Sequence, residues 1–269
     1  MRIVRTVSML LLLCALTISS KAQSPTQNYV MSKEVLDVGG THAITTVTYY
    51  DGLGNPVETA TNGLGGTGKY AYTLQEHDAL GREKQSWLPG TAQSGCSFVS
   101  PSELSSSLIT FHKDRNPYSV NSYDALDRQV STLGAGESWH TAKKSVEQRY
   151  GSNEANCIKR YQVSGSGSLV ENGYYAANSL SMLEVTDEDG KTKQTFSDLF
   201  GNKVLERRDV DNDTYYVYDN IGHLRYVLSP SYQECSDLQK YGYEYRYDKY
   251  GRCVWKRLPG CEYQQMWYD

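Results

Sequence analysis

Short segments in which apolar or aromatic residues alternate with polar residues predict that this chain is built from β-strands. A tyrosine occupies every second position from Tyr241 to Tyr247, so four tyrosines are expected on one face of a strand. The same period places Leu224, Tyr226 and Leu228 on one face of the preceding segment. With 23 Tyr and 23 Gly but only 4 Phe, the composition is typical of half-buried sheet positions joined by many turns. We therefore expect an all-β fold.

A turn motif separates the predicted strands. It consists of a tyrosine or a similar residue, then Asp, two variable residues and Gly, and it recurs seven times. The seven turn positions are Asp51 and Gly54, Asp78 and Gly81, Asp124 and Asp127, Asp187 and Gly190, Asp198 and Gly201, Asp219 and Gly222, and Asp248 and Gly251. This recurrence is the strongest organising pattern in the chain.

The spacing within the motif has a physical reason. Asp at the first position of a type I turn can accept hydrogen bonds from backbone N–H groups further along, and Gly at the fourth position supplies a positive φ. Each motif therefore predicts the tip of a β-hairpin. Asp127 replaces glycine in the third copy, and Asp tolerates the left-handed region better than most residues. Because a lone hairpin is only marginally stable, we expect repeated antiparallel β-hairpins that form a curved, open sheet.

Two segments depart from the hairpin pattern. Ser100, Pro101 and Glu103 resemble the start of a helix, which predicts a short helical insertion near 101–111. The serine and glycine run 164–168 is interpreted as a flexible loop, because strand-like sequence flanks it on both sides.

The first 22 residues have the features of a secretory signal peptide. Two arginines precede the apolar run 7–18, and Ser20 and Ala22 supply the small residues of a cleavage site. The run is well short of the roughly 20 residues that span a bilayer. We therefore expect a secreted or cell-surface product with no membrane span once the signal has been removed.

The predicted boundaries follow from these features. Signal peptide 1–22 and leader 23–42 precede a β-domain (43–95), an insertion with further hairpins (96–180) and the main repeat hairpins (181–269). The last two residues form the first half of an eighth motif, which suggests a fragment of a longer product or a truncated gene.

Charge and cysteine content limit the partners and ligands. Removing the signal peptide lowers Lys plus Arg from 27 to 24 against 31 Asp plus Glu, so the mature net charge is about −7. With no basic stripe to offset this charge, nucleic acid is not expected as a partner. Five cysteines remain, at 96, 157, 235, 253 and 261, and none forms a C-x-x-C pair, so no zinc site is expected. Cys253 and Cys261 could form a disulfide or remain thiols.

Three patterns that could carry chemistry have simpler explanations. Residues 63–68 match G-x-G-x-x-G, but a strand and not a helix is predicted to follow, so a glycine-rich loop is favoured over a dinucleotide site. Asp209, Asp211 and Asp213 could hold calcium, but Thr214 and Asn220 break the EF-hand pattern, so a solvated turn is favoured. The five histidines fit no zinc-protease motif, and no nucleophile elbow is present in the sequence. We expect no enzymatic activity, metal or cofactor.

Longer stretches around the turns resemble the Rhs/YD-repeat family, in particular secreted Rhs-like proteins of the Bacteroidetes type. The resemblance lies in Thr46–Val57, in Asp78–Glu83 followed by Ser86–Pro89, and in Thr186–Lys191 and Tyr215–Asp219. It covers about 43–269, so the β-domain 43–95 is Rhs-like and 181–269 corresponds to YD-repeat hairpins. Such proteins wind a long sheet into a hollow shell that encloses a C-terminal toxin, or they act at the cell surface.

The resemblance implies a structural role for the chain. It has too few repeats to close a shell, and it lacks both the core segment that ends such arrays and a toxin domain, so toxin activity is not implied. We expect a non-catalytic part of a shell or cell-surface assembly. Its partners would be the remaining Rhs-type repeats or a C-terminal toxin, if a longer product exists. The alternative is an adhesin module in which Tyr243 and Tyr245 bind a glycan or a cell surface; packing against neighbouring strands is the simpler role for these tyrosines.

Overall fold

The alternating segments and the turns between them form antiparallel strands. The computed structural model describes residues 26–39, 42–62, 70–92, 95–209 and 212–269. Of these described residues, those up to 119 together with 135–137 form unit 1, and those of 120–134 together with 138–269 form unit 2. The predicted all-β fold of antiparallel hairpins in an open sheet is confirmed, because each strand of the two ladders pairs antiparallel with its neighbours.

In unit 1, five strands pair in chain order and one helix packs against them. The elements are β1 (Asn28–Val35), β2 (Ala43–Tyr50), β3 (Pro56–Thr61), β4 (Ala71–His77), β5 (Glu83–Trp87) and α1 (Pro101–His112). The helix predicted near 101–111 is thus confirmed. Ser100 caps it, since its hydroxyl accepts a hydrogen bond from the Glu103 N–H and donates one to the Glu103 carboxylate.

In unit 2, a second ladder runs in the order β6, β7, β8, then β11 to β18, and β9 and β10 form a separate hairpin. The strands are β6 (Tyr118–Tyr123), β7 (Gln129–Leu133), β8 (Ser145–Ser152), β9 (Lys159–Val163), β10 (Leu169–Tyr174), β11 (Ser181–Thr186), β12 (Thr192–Ser197), β13 (Lys203–Arg208), β14 (Asn212–Tyr218), β15 (Leu224–Leu228), β16 (Gly242–Tyr247), β17 (Cys253–Arg257) and β18 (Gln264–Gln265). The first two residues of β6 belong to unit 1.

Three short helices join strands: α2 (Glu137–Ala142), α3 (Pro230–Cys235) and α4 (Leu238–Tyr241). The helix α4 corrects the predicted tyrosine strand, because Tyr241 ends the helix and the strand begins only at Gly242. Asp237 starts this helix by accepting a hydrogen bond from the Lys240 N–H at 3.1 Å. Among the described helices, none has both the length and the apolar character needed to cross a bilayer.

The core of unit 2 lies on one face of its ladder. Tyr215, Val217, Tyr226 and Leu228 are buried on this face, as the period of two predicts for β15. The β9–β10 hairpin contributes Ile158 and Tyr161 to the same core, and Tyr232 of α3 and Leu238 of α4 pack against it. The segment between β8 and β11 therefore closes over the sheet and buries its apolar side chains there.

The core of unit 1 contains a carboxylate. Glu58 shares the buried face of β3 with Ala60 and is only 1% exposed. Both of its oxygens lie near the Val99 backbone nitrogen, at 3.3 and 3.1 Å. Tyr49 and Tyr72 donate hydrogen bonds to carbonyl oxygens of residues 95–97 in the same loop. Burial raises the pKa of Glu58 to about 7, although the Val99 N–H lowers it in part.

We expect Glu58→Gln to remove a pH-dependent loss of stability. The carboxyl titrates near 4.5 when unfolded and at about 7 when folded. Its contribution is therefore fully present below pH 4.5 and is lost as the pH rises through 7. The shift corresponds to at most about 3 kcal/mol. The glutamine oxygen can still accept the Val99 N–H without a charge, so the variant should keep its stability in urea unfolding at about pH 8.

Glu34→Gln is the matched control, because Glu34 is an exposed carboxylate on β1 of the same unit. The free energy of unfolding of this variant should depend on pH in the same way as that of wild type. If Glu58→Gln and wild type lose the same free energy of unfolding between about pH 5 and about pH 8, the carboxylate does not titrate as proposed.

Candidate functional site

The seven Asp turns share one hydrogen-bond pattern, illustrated by Asp219. Its backbone N–H donates to the His223 carbonyl, and the Gly222 N–H donates to the Asp219 carbonyl, each at 3.0 Å. The carboxylate oxygen Oδ1 accepts from the N–H groups of Ile221 and His223 at 3.1 and 2.9 Å. One side chain thus satisfies two backbone donors that the reversal of the chain leaves without a strand partner.

In most copies, the side chain that follows the fourth turn position donates a hydrogen bond to Oδ2, the second carboxylate oxygen of the turn aspartate. Arg82 Nε lies 2.7 Å from Asp78 Oδ2, and Asn55 Nδ2 lies 3.0 Å from Asp51 Oδ2. The side-chain hydrogen bond from Arg82, together with turn N–H groups, lowers the pKa of Asp78. The carboxylates are engaged within their own turns, which makes these aspartates structural.

The fourth position of every turn has a positive φ. The six glycines lie between 77° and 95°, and Asp127 has a φ of 61°. Asp127 therefore adopts the left-handed conformation that glycine adopts in the other copies, at some conformational cost.

A further turn of the same form, at residues 164–168, was missed by the sequence interpretation. The Ser164 N–H donates to the Ser168 carbonyl at 2.8 Å, and the Gly167 N–H donates to the Ser164 carbonyl at 2.9 Å. The Ser164 hydroxyl accepts from the Ser168 N–H at 3.1 Å, in the manner of the turn aspartates. The segment predicted as a flexible loop is thus the hydrogen-bonded tip of the β9–β10 hairpin. Serine and glycine three positions apart were the available signal.

The two candidate glycan-binding tyrosines lie on the face of β16 opposite the core. Tyr243 and Tyr245 are both half-buried, and burial raises the pKa of the Tyr245 phenol. Tyr243 pairs in register with Val227, which in turn pairs with Tyr216. The three side chains therefore form a cross-strand row on one surface of unit 2.

A polar cavity of about 530 Å³ lies on the core side of unit 2. The tip 166–169, Arg225, Arg246 and Glu244 line it together with Tyr226, Tyr232 and Leu238. Glu244 is buried and lies 3.2 Å from both Arg246 and Arg257. Arg225 donates to the Tyr245 carbonyl at 2.8 Å. The charged groups of the cavity therefore pair largely with one another or with the backbone.

The solvated-turn interpretation of the acidic cluster at 209–213 is wrong for Asp213, whereas Asp209 is an exposed turn residue. Asp213 lies inside β14, is buried, and has oxygens 2.6 and 2.7 Å from Arg207 Nε and Nη2. Asp211 and the glycine-rich segment 63–68 lie outside the described residues. Within the described ranges, no group of three or more His, Cys, Asp or Glu residues is arranged to hold a metal ion. Within the described ranges, the cysteines at 96, 157, 235, 253 and 261 are free thiols, and Cys96 is buried.

Another buried carboxylate was missed in β13. Burial alone would raise the pKa of Glu206, but hydrogen bonds from Lys203 and Arg208 outweigh this effect and lower the pKa to about 2. Lys203 and Arg208 each lie 2.9 Å from its carboxylate. The charge of Glu206 is thus compensated within the sheet.

These features define the class of the protein: an antiparallel β-sheet protein of repeated hairpins whose tips are fixed by aspartate. Residues 20–152, just under half of the chain, match a family model described as a domain of unknown function, DUF6443. No curated protein matches the chain.

Several solved structures are similar to the chain at low identity. They include a Photorhabdus luminescens Tc holotoxin pore with a TccC3 mutation (TM-score 0.49, 13% identity), a TcdB2-TccC3-Cdc42 structure (0.44, 14%) and a TcdB2-TccC3-TEV structure (0.41, 12%). The matches cover 86%, 89% and 90% of this chain but only 11%, 12% and 13% of the solved chains. The chain thus spans little more than a tenth of the length of these structures.

We expect Gly222→Ala to destabilise unit 2 by roughly 1 kcal/mol, because alanine disfavours a positive φ. A Cβ at this position would meet no atom within 4 Å, so the cost arises from the backbone alone. Asp127→Gly should have the opposite sign and stabilise by up to about 1 kcal/mol. Urea unfolding of each variant measures both changes.

Gly165→Ala serves as the control, because Gly165 lies in a hairpin tip with equally open space and is not among the glycines with a positive φ. Its effect should stay within about 0.5 kcal/mol. Equal losses in Gly165→Ala and Gly222→Ala would show that the turn conformation is not the cause.

Proposed function

We propose that this chain is a non-catalytic structural part of a secreted Rhs/YD-repeat protein, which builds a shell for toxin delivery or an assembly at the cell surface. The observation that carries the proposal is the repeated turn: each of the seven Asp motifs joins two strands that are neighbours in a ladder. Repetition of one hairpin extends a sheet by the same increment each time, which is what a wall requires.

The pairing of polar groups supports a structural role. The turn carboxylates accept hydrogen bonds from their own turns, and the buried acids Glu206, Asp213 and Glu244 are each paired with a cation. A catalytic acid or base must instead be free to exchange a proton with a substrate. We therefore assign these groups to holding strands and turns together.

Export is proposed from residues 1–22 and is tested by the N-terminus of the native product. Expressed in its source bacterium, the chain should be recovered outside the cytoplasm and begin at Gln23. Leu12→Arg places a charge in the apolar run and should keep the product inside with residues 1–22 attached. Ser24→Ala lies beyond the cleavage position and should be exported normally. Wild-type product confined to the cytoplasm would contradict export.

The shell role is tested on the exported product by native mass spectrometry and peptide sequencing. We expect residues 26–269 either in one polypeptide with further Tyr-Asp turns or bound to a protein that contains them. An exported product that neither carries further Tyr-Asp turns in its own polypeptide nor binds a protein that contains them would rule out the shell role while leaving export intact.

A glycan-binding role for the cell-surface form is the second candidate. The observation that favours it is the tyrosine surface on β16, where Tyr243 and Tyr245 are half-buried and face away from the core. If it is correct, Tyr243→Ala with Tyr245→Ala should abolish binding on a glycan array. Tyr174→Ala, which removes an exposed tyrosine from the β9–β10 hairpin, should leave binding unchanged. Absence of glycan binding by wild type would eliminate this role.

A further inference from the structure

The direction of the strands divides the turns of unit 2 between two edges. Neighbouring strands are antiparallel, so alternate strands of the ladder run the same way: β6, β8, β12, β14 and β16 run in one direction and β11 in the other. The turns that leave β6, β12, β14 and β16 therefore lie at one edge of the sheet. The turn that leaves β11 lies at the opposite edge.

The third residue of each turn differs between these edges. At the first edge it is a large apolar or aromatic residue: Leu126, Phe200, Ile221 and Tyr250 are 72%, 90%, 82% and 69% exposed. At the opposite edge it is the charged residue Asp189. Unit 1, taken by itself, follows the same rule, because β2 and β4 run in one direction and their turns carry Leu53 and Leu80, 84% and 71% exposed.

The turn itself does not require an apolar side chain at this position. It uses only the backbone N–H, which donates to the turn aspartate. The Asp189 N–H makes the same hydrogen bond to Asp187 at 3.0 Å. A polar residue therefore serves the turn equally well, and the apolar residues at one edge need a separate explanation. Contiguous or repeated apolar exposure of this kind marks an interaction surface.

The charges at this edge favour contact with the same edge of a second copy of the chain. Two of these aspartates are paired with a cation, since Arg128 and Arg252 lie 2.8 Å from Asp124 and Asp248. In the other two turns, Asp198 accepts a hydrogen bond from Asn202 at 3.0 Å and Asp219 lies 3.4 Å from His223. The whole chain has a net charge of −4, so two copies repel each other less at this edge than at an average surface.

The spacing of the exposed apolar residues also favours a second copy of the chain as the partner. Phe200, Ile221 and Tyr250 follow one another on every second connection, which places them about 10 Å apart along the sheet. A second copy has the same period, whereas a lipid surface has none. A two-fold axis at the middle tip would bring Ile221 against Ile221 and Phe200 against Tyr250 of the other copy.

We propose that the tip row, Phe200, Ile221 and Tyr250 with Leu126 further along the same edge, is a contact surface between two copies of this chain. The two rows run antiparallel, so that each apolar tip meets an apolar tip of the other copy. The acidic tip at 187–190 lies at the opposite edge and stays outside the contact.

Sedimentation velocity of the purified full chain tests the proposal. Wild type should form a concentration-dependent dimer. Ile221→Asp and Ile221→Lys should each weaken it at least about tenfold, because each places like charges at the two-fold axis. An equimolar mixture of the two variants should restore association, because Asp then faces Lys.

Val170→Asp is the matched control: it adds a charge at an exposed apolar position of the β9–β10 hairpin and should leave the dimer unchanged. Circular dichroism of all variants should equal that of wild type, since position 221 is exposed and its side chain does not form the turn. A chain that is monomeric at all concentrations, or a dimer indifferent to position 221, overturns the proposal. So does binding to phosphatidylcholine vesicles by a monomeric wild type.

Discussion

The structure depends on one interaction, in which an aspartate carboxylate accepts two backbone N–H groups at the point where the chain reverses. A reversal leaves donors that a strand would have satisfied, and an unsatisfied donor is costly wherever water is excluded. The carboxylate removes this cost locally, and the positive φ three residues later returns the chain antiparallel to itself. Because each turn is self-contained, it fixes the register of its two strands without help from the core, and the sheet can grow by repetition.

Sequence interpretation succeeded where the structure is local. The Asp turns and the capped helix α1 depend on residues within four positions of each other, so their patterns are visible in the sequence. The start of α4 also had a visible signal, the capping residue Asp237, and overlooking it extended the tyrosine strand wrongly to Tyr241.

The buried acids were not predictable from local pattern. Glu58 and Glu244 read as polar positions that should face water, yet each lies on a buried face. Their compensation comes from residues distant in sequence or on another strand, the Val99 N–H for Glu58 and Arg257 for Glu244. Asp213 was assigned to a solvated turn for the same reason, because only the pairing of β13 with β14 brings Arg207 beside it. Which polar residue is buried is decided by tertiary contacts.

The β9–β10 hairpin leaves and re-enters the ladder at one place. Ser152 and Ser181 pair directly across β8 and β11, and the buried Asn153 ties the two ends together through the Leu180 N–H and the Ala176 carbonyl, each at 2.8 Å. The strands on either side therefore remain neighbours whatever the length of the segment between them, since the entropic cost of closing a loop rises only slowly with its length. The segment between residues 153 and 180 is accordingly a natural insertion point. Evolution or an engineer can replace the β9–β10 hairpin there with another structure that covers the same face, without disturbing the pairing of β8 with β11.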